Sequence, residues 1–204
     1  FLKNKNLSIV GGGLVGSLLS IFLKKQGAHV SVFDKRLDIR SSLHIGSRSI
    51  NLALSNRGIQ ALNKMGISDS ILKTAMPMYK RIMHDLNGKL THQWYGKENQ
   101  AIYSISRKML NAQLIDIAEK NGVDFYFTKE CIGVDFDTTV LSFSNSSSFK
   151  SDFVFGSDGA GSVIRKSMNQ SFSDLDIVEK FIGYGYKELT IYSNEGAHKL
   201  SNDA

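Results

Sequence analysis

The N-terminal part of the chain alternates short apolar runs with glycine-rich breaks, a pattern typical of strands alternating with helices. Residues 7–10 form a short apolar run that predicts a buried strand, and glycines follow it at once. Apolar residues then lie on almost every side of residues 14–26, which predicts a helix sandwiched between a sheet and other elements, ended by Gly27. A second strand is predicted over residues 29–33.

The turn between the first strand and the helix carries glycines at three spaced positions. Gly11 permits a sharp turn, Gly13 lets the backbone approach a pyrophosphate, and Gly16 lets the helix pack closely on the strand. The helix N-terminus would present unpaired N–H groups to the phosphates. Asp34 ends the second strand, where a carboxylate accepts the hydroxyls of an adenosine ribose. These residues predict a dinucleotide-binding turn, and the alternative is an ordinary βαβ unit with a tight turn.

The next part of the chain changes from an extended to a helical pattern. Residues 48–55 alternate in the manner of a strand before the pattern becomes helical. A helix capped by Ser55 or Asn56 is predicted to end at Gly66, and a shorter helix is predicted near Ile71. Pattern alone does not assign a function to this part of the chain.

A β-hairpin is predicted further along. Two extended runs, residues 79–86 and 89–95, are joined by Asn87 and Gly88, the pair that a type I′ hairpin turn requires. Residues 102–105 form another extended run, which precedes the next helix.

Ser106 is predicted to cap that helix, which has apolar positions on one face and ends at Gly122. Further β-runs are predicted at residues 125–127, 131–136 and 140–143, and a hairpin loop at 145–148.

A second strand-to-loop-to-helix junction lies near residue 156. Residues 153–156 predict a buried strand that leads into the loop 157–162. Asp158 in this loop suits contact with a cofactor or ribose, and a simple turn aspartate is an equal alternative. Residues 181–192 are rich in aromatic and β-branched residues and are predicted to begin another sheet.

Composition narrows the classes of protein. The 204 residues are 42% apolar, enough for a core of one domain or one and a half, and the chain has the look of a piece of a longer protein. The one cysteine, Cys131, excludes an internal disulfide and fits a reducing, cytoplasmic compartment. No membrane-spanning run is found, and the five histidines show no metal-ligand spacing. The net charge is +6, but the lysines and arginines are scattered along the chain. This distribution argues against nucleic acid as a partner and favours a solvated surface that attracts anions.

The sequence resembles the kynurenine 3-monooxygenase family, within the flavin-dependent aromatic-ring hydroxylases of the para-hydroxybenzoate-hydroxylase-like class. The resemblance runs along nearly the whole chain, which covers about the first half of the family's length. The block Arg-Ser-Ile-Asn-Leu-Ala-Leu-Ser at residues 48–55 is more particular to the family than the glycine motif is. The matching segments are residues 10–17, 46–58, 81–84, 95–96, 104–107, 156–160 and 185–191.

The resemblance implies an α/β fold in which a Rossmann-like FAD-binding domain carries an inserted, incomplete β-rich substrate region. The implied division assigns residues 1–76 and 106–176 to FAD binding, the hairpin 77–105 to the substrate region, and 177–204 to the start of a truncated substrate-domain sheet. Arg81 and Tyr95 are implied to hold the carboxylate of L-kynurenine, for which a guanidinium fork and a phenol are suited. The cofactor-binding residues predicted from the motif and the resemblance are Gly11, Gly13, Val15, Gly16, Asp34, Lys35, Arg36, Ala53, Arg107, Cys131 through its backbone, Asp158 and Val163.

The implied activity belongs to the tryptophan degradation pathway. NADPH reduces FAD, the reduced flavin and O₂ form a C4a-hydroperoxide, and L-kynurenine becomes 3-hydroxykynurenine. No residue stands out as a general base, so no catalytic residue is assigned. The alternatives are another FAD-dependent aromatic hydroxylase, a nicotinamide-binding module without oxygen chemistry, and a cofactor-binding piece without activity of its own.

Overall fold

A parallel sheet lies at the centre of the fold. The computed structural model describes residues 1–42, 51–97 and 100–185. The sheet has four strands, β1 (Asn6–Val10), β2 (His29–Phe33), β8 (Asp124–Tyr126) and β12 (Phe153–Gly156). Their order is β12-β1-β2-β8, and every neighbouring pair is parallel. Three of the four residues of β1 from Leu7 to Val10 are apolar, as a strand buried on both faces requires.

Two helices pack together beside this sheet. They are α1 (Leu14–Lys25) and α4 (Arg107–Lys120), which contact each other directly. The predicted cap of α4 is confirmed, because the Ser106 hydroxyl accepts a hydrogen bond from the Met109 N–H. Two shorter helices, α2 (Asn56–Met65) and α3 (Ser68–Leu72), add to the same core. Fully buried members of that core are Leu7, Ile9, Ile21, Val30, Val32, Ile71, Leu114 and Ala118.

The remaining strands form small antiparallel sheets. One sheet has the order β3-β7-β4, with β3 (Asn51–Leu54), β4 (Met76–Met78) and β7 (Ile102–Ser106). A separate hairpin consists of β5 (Lys80–His84) and β6 (Leu90–Trp94). The third sheet has the order β11-β10-β9, with β9 (Cys131–Asp135), β10 (Val140–Phe143) and β11 (Ser148–Lys150). Helix α5 (Val163–Ser171) packs against β9, and a short 3₁₀ helix covers Ile39–Ser42.

Most predicted elements are confirmed, including the strand 29–33, the helix ended by Gly66 and the hairpin 79–95. Three details differ. Helix α1 is not enclosed on every side, since Val15 is 69% exposed and Phe22 is 41% exposed. The predicted sheet at residues 181–192 has no strand in its described part, 181–185, and residues 186–192 lie outside the described residues. Residues 48–50 of the predicted strand 48–55 also lie outside them.

The hairpin turn is the third difference, because the prediction of type I′ is wrong. Type I′ requires positive φ at both central residues, and only Gly88 has it, with φ +80°. The Gly88 N–H donates to the Asp85 carbonyl, and the Asp85 carboxylate accepts from the N–H groups of Asn87 and Lys89. The hairpin therefore closes with a three-residue loop that the Asp85 side chain stabilises. With these hydrogen bonds Asn87 does not adopt the left-handed conformation that a type I′ turn requires.

Candidate dinucleotide site

The glycine-rich turn after β1 packs tightly on its inner side. Gly11 has φ +102°, and a Cβ there would lie 2.4 Å from the Ser157 carbonyl oxygen. A Cβ on Gly16 would lie 1.9 Å from the Gly11 carbonyl oxygen. Any larger residue at either position would push α1 or the β12 loop away from β1, so these two glycines hold the turn in its compact form.

The outer side of the same turn is open. A Cβ on Gly13 would meet no atom of the described residues within 4 Å. Gly13 is the N-cap of α1, the first turn of which contains no acidic residue and no side-chain cap. No acceptor among the described residues takes the N–H of Leu14 or Val15. The turn therefore leaves the positive end of a helix dipole facing unfilled space, which is the arrangement that binds phosphate groups.

A cleft of about 280 Å³ lies at this end of the sheet, where the carboxyl ends of β1, β2 and β12 meet. This volume is close to the lower end of the usual range for ligand cavities, roughly 300–1,000 Å³. Of the twelve predicted cofactor-binding residues, Val15, Gly16 and Ala53 do not line it, and Ala53 lies exposed on β3. The predicted residues that do line it are Gly11, Gly13, Asp34, Lys35, Arg36, Arg107, Cys131, Asp158 and Val163.

Asp34 is buried, and protein donors occupy both of its oxygens. The Gly12 N–H donates to Oδ2 at 2.8 Å, and Arg36 donates from its backbone N–H, from Nε and from Nη2 at 2.7 to 2.9 Å. Burial raises the pKa of Asp34, but the hydrogen bonds and charge of Arg36 outweigh it, so the net pKa lies below the ordinary 3.8. The carboxylate is therefore ionised at neutral pH, and a ribose hydroxyl would share it with Arg36.

Asp158 caps a helix in this structure. Its carboxylate accepts from the Ser162 hydroxyl and from the N–H groups of Val163, at 2.7 Å, and Ile164. Asp158 thus holds the loop against the N-terminus of α5, and it also borders the cleft.

The segment from Lys129 to Cys131, at the start of β9, also lines the cleft, and of these residues only Cys131 was predicted from the sequence. The Lys129 N–H donates to the Asp34 carbonyl oxygen at 2.9 Å, so the loops that follow β2 and β8 are joined. Burial raises the pKa of the Cys131 thiol, which donates to the Gly133 carbonyl oxygen. Lys129 and Glu130 also line the cleft; no local pattern marked them, because their place depends on a pairing between distant loops.

The predicted substrate residues lie elsewhere, on the β5–β6 hairpin. Arg81 pairs directly with Gln93 and donates a hydrogen bond to its side chain. Tyr95 follows two residues later, and its N–H donates to the Tyr79 carbonyl oxygen. Because side chains alternate across a strand, Arg81 and Tyr95 share one hairpin face, and both are exposed. Neither residue lines the dinucleotide cleft.

A parallel sheet with a glycine-rich turn after its first strand and an acidic residue after its second defines a dinucleotide-binding α/β protein. More narrowly, the chain belongs to the FAD binding domain family, whose model matches residues 5–186. The open space at Gly13 and the unpaired N–H groups of α1 fit the pyrophosphate of such a cofactor. Among the residues that the structure describes, no helix has the length and apolar character to cross a membrane.

Several curated relatives carry one name. The chain is 46% identical over 208 residues to a kynurenine 3-monooxygenase of Christiangramia forsetii, and the match covers 99% of this chain and 46% of the relative. It is 44% identical to that of Flavobacterium johnsoniae, covering 97% and 45%. A more distant relative, from Dictyostelium discoideum, is 40% identical over 94% of this chain and 42% of its own length. The chain thus spans a little less than half the length of these relatives.

Solved structures support the fold. A 2-methyl-3-hydroxypyridine-5-carboxylic acid oxygenase superposes with a TM-score of 0.70 at 23% identity, covering 81% of this chain and 42% of the other. The p-nitrophenol 4-monooxygenase of Pseudomonas putida DLL-E4 gives 0.68 at 19% identity, covering 82% and 44%. The fold is therefore the one expected, shared with FAD-dependent hydroxylases of the para-hydroxybenzoate-hydroxylase-like class.

Proposed function

We propose that this chain belongs to a flavin-dependent monooxygenase that converts L-kynurenine to 3-hydroxykynurenine with NADPH and O₂. The observation that carries the proposal is the 46% identity to a kynurenine 3-monooxygenase along 99% of the chain. The cleft at the glycine-rich turn supports it, because it offers the phosphate-binding groups that FAD needs.

In this proposal, different residues of the cleft contact different parts of FAD. The α1 N-terminus and Gly13 face the pyrophosphate, and Asp34 with Arg36 faces the adenosine ribose. Arg107 and Lys129 also line the cleft and add positive charge, which favours a ligand with two phosphates. Bound FAD supplies the redox chemistry of the reaction, taking electrons from NADPH and activating O₂.

The hairpin supplies substrate recognition in this proposal. Arg81 offers a planar pair of N–H donors, and the phenol of Tyr95 lies diagonally across the same face. A carboxylate bound by this pair would replace Gln93 as the acceptor for the Arg81 guanidinium. The role of these residues is to orient kynurenine, since its ring is activated by its own amino group.

The identity of the dinucleotide is the first test. The full-length protein should purify with noncovalent FAD, which acid releases and chromatography identifies. Recovery of NAD instead would favour the alternative of a nicotinamide-binding module, for which an aspartate after the second strand is equally suited.

The second test concerns the substrate and uses Arg81→Ala. Bound kynurenine would cover the Arg81 guanidinium that is exposed in this structure, and truncating one partner of a buried charge pair costs about 2–5 kcal/mol, so kcat/KM for kynurenine should fall by roughly 30-fold to a few thousandfold. Arg81→Lys should also be impaired, because an ammonium lacks the planar fork.

The matched control is Lys80→Ala, the neighbouring cation on the opposite hairpin face, over the Trp94 ring. It should keep the kinetics of the wild type, and all three variants should retain FAD. An unchanged KM for kynurenine in Arg81→Ala would mean that another residue holds the carboxylate, and the substrate assignment would fail.

A further inference from the structure

A buried amide on α4 contacts the glycine-rich turn from behind. Asn111 is 4% exposed, and its Nδ2 donates to the Gly12 carbonyl oxygen at 3.1 Å. The two residues are 99 positions apart in the chain. Asn111 does not line the dinucleotide cleft; it lies on the other side of the turn, where it lines a separate cavity of about 240 Å³.

Both backbone polar groups of Gly12, its N–H and its carbonyl oxygen, form hydrogen bonds. Its N–H donates to the Asp34 carboxylate at 2.8 Å, and its carbonyl oxygen also accepts from the Ser17 hydroxyl at 3.2 Å. The carbonyl of Gly12 and the N–H of Gly13 belong to one planar trans peptide unit and point in opposite directions. Fixing the carbonyl towards Asn111 therefore turns the Gly13 N–H away from α4. No acceptor among the described residues takes that N–H.

Asn111 is poorly explained by packing alone. Its Oδ1 is buried and finds no hydrogen-bond partner in the described part of the chain, which opposes folding relative to an apolar residue of the same size. Its neighbours on α4, Leu110, Ala112, Leu114 and Ile115, are buried and apolar. The Asn111 amide thus makes one side-chain hydrogen bond to the described residues, the bond to Gly12.

We infer that Asn111 is a positioning residue for the dinucleotide site, which orients the Gly12–Gly13 peptide so that its N–H faces the phosphates. The inference rests on the proposed binding of FAD and adds a residue from α4 to the βαβ unit. Helix α4 also begins at Arg107, which lines the cleft, so one helix touches the site from two sides.

The test measures the affinity of the full-length apoprotein for FAD by flavin fluorescence, with the melting temperature of the apoprotein recorded beside it. Asn111→Leu keeps the size and removes the donor, and it should raise the Kd by about 3- to 10-fold, the effect of one hydrogen bond. The control Leu114→Ala lies one helical turn away in the same core and should lower the melting temperature without changing the Kd. Asn111→Ala replaces the leucine variant if that variant does not fold.

A second variant tests the donor itself. Asn111→Asp has the same shape, but its ionised carboxylate repels the Gly12 carbonyl oxygen, whereas its protonated form donates to it. Burial raises the pKa of a carboxyl group, so the introduced side chain should be protonated at about pH 6 and ionised at about pH 9. The Kd for FAD should therefore be larger at about pH 9 than at about pH 6. The wild type, measured at both values, corrects for titration elsewhere.

Two results would overturn the inference while leaving the function standing. One is a wild-type Kd in Asn111→Leu, with the melting temperature lowered as in Leu114→Ala, which would show a purely structural role. The other is an affinity loss in Asn111→Asp that is equal at both pH values. Failure of the wild type to bind FAD would instead refute the proposed function.

Discussion

At the scale of single residues, the site is defined by contacts that leave little freedom. Gly16 and Gly13 belong to one motif, yet the structure gives them opposite surroundings. A side chain on Gly16 would overlap a carbonyl oxygen, whereas a side chain on Gly13 would enter open space. The fold therefore requires a glycine at position 16, whereas at position 13 the requirement comes from the pyrophosphate that we propose binds there.

Substitution of these two glycines separates the requirements. Gly16→Ala should lower the free energy of unfolding by about 3 kcal/mol, because the added methyl group overpacks the turn. Gly13→Val should leave the stability of the apoprotein nearly unchanged and weaken FAD binding by about tenfold or more, since the side chain fills space meant for phosphate. Urea unfolding and flavin titration measure the two effects. A valine variant that retained flavin would show that the pyrophosphate lies elsewhere, and Lys97→Ala is a suitable surface control.

The Asp34 carboxylate gives a prediction about pH. Because its folded pKa lies below the unfolded value of 3.8, its ion pair with Arg36 stabilises the protein fully above about pH 4, and this contribution is lost as the pH falls through the folded pKa. Asp34→Asn should be less stable than the wild type by about 1–3 kcal/mol at neutral pH. Unfolding curves should show this difference shrinking only below about pH 4. A difference that already shrank near pH 6 would contradict the lowered pKa.

The residues of the site differ in how far their roles could be predicted from the sequence. Gly11 was predictable because its role depends on backbone conformation, which the residue type itself limits. The ion pair between Asp34 and Arg36 was not predictable, because the ribose-binding role of Asp34 was predicted only from its position at the end of β2. The contact of Asn111 with Gly12 joins two distant segments, and no local pattern encodes it.

At the scale of elements, the segment after β2 is attached to α4 by one cation. The Arg40 guanidinium bonds the carboxylates of Asp38, Asp116 and Glu119, the last two on α4, and it is only 26% exposed. These acidic partners raise the pKa of Arg40, with Glu119 contributing most. The segment between β2 and this anchor includes Lys35 and Arg36, so the anchor also holds one wall of the cleft.

Arg40→Met keeps the apolar stem and removes the charge. We expect a loss of about 1 kcal/mol, the upper end for exposed ion pairs, because one guanidinium holds three carboxylates. The loss should be smaller in high salt, which screens the pairs in the wild type. Urea unfolding at low and high salt measures it, with Lys24→Met, a basic residue at the end of α1 that forms no described ion pair, as the control. A loss that salt did not change would point to packing against the Phe127 ring instead.

Elements were easier to predict than their connections. The alternation of apolar residues predicted β2 and β10 with their observed bounds, because each lies within one local pattern. The hairpin turn differed since the Asp85 side chain, which the dipeptide rule ignores, supplies the turn with its hydrogen bonds. The predicted division between residues 76 and 77 falls inside β4, which pairs with β7, and the domain boundaries stay a prediction.

At the scale of the whole molecule, binding of FAD should stabilise the fold as a unit. A ligand present at 100 times its Kd adds about 2.7 kcal/mol to the free energy of unfolding. The melting temperature of the full-length apoprotein should therefore rise with FAD concentration, and NAD at the same concentration should leave it unchanged. Differential scanning fluorimetry is unsuited to a fluorescent ligand, so circular dichroism is the measurement. An equal rise with NAD would show a site that does not select flavin.

The pairing of β1 with β12 has a consequence for biosynthesis. Leu7 pairs with Phe153, and Ser157 from the following loop contacts Gly11, so the first strand finds one of its neighbours only after about three quarters of these 204 residues have been made. Strands β1 and β2 can pair early, since one short helix connects them, but closing so long a loop is slow. During translation one side of β1 therefore stays unpaired, and the close packing of Ser157 on Gly11 forms only after residues 153–157 have left the ribosome.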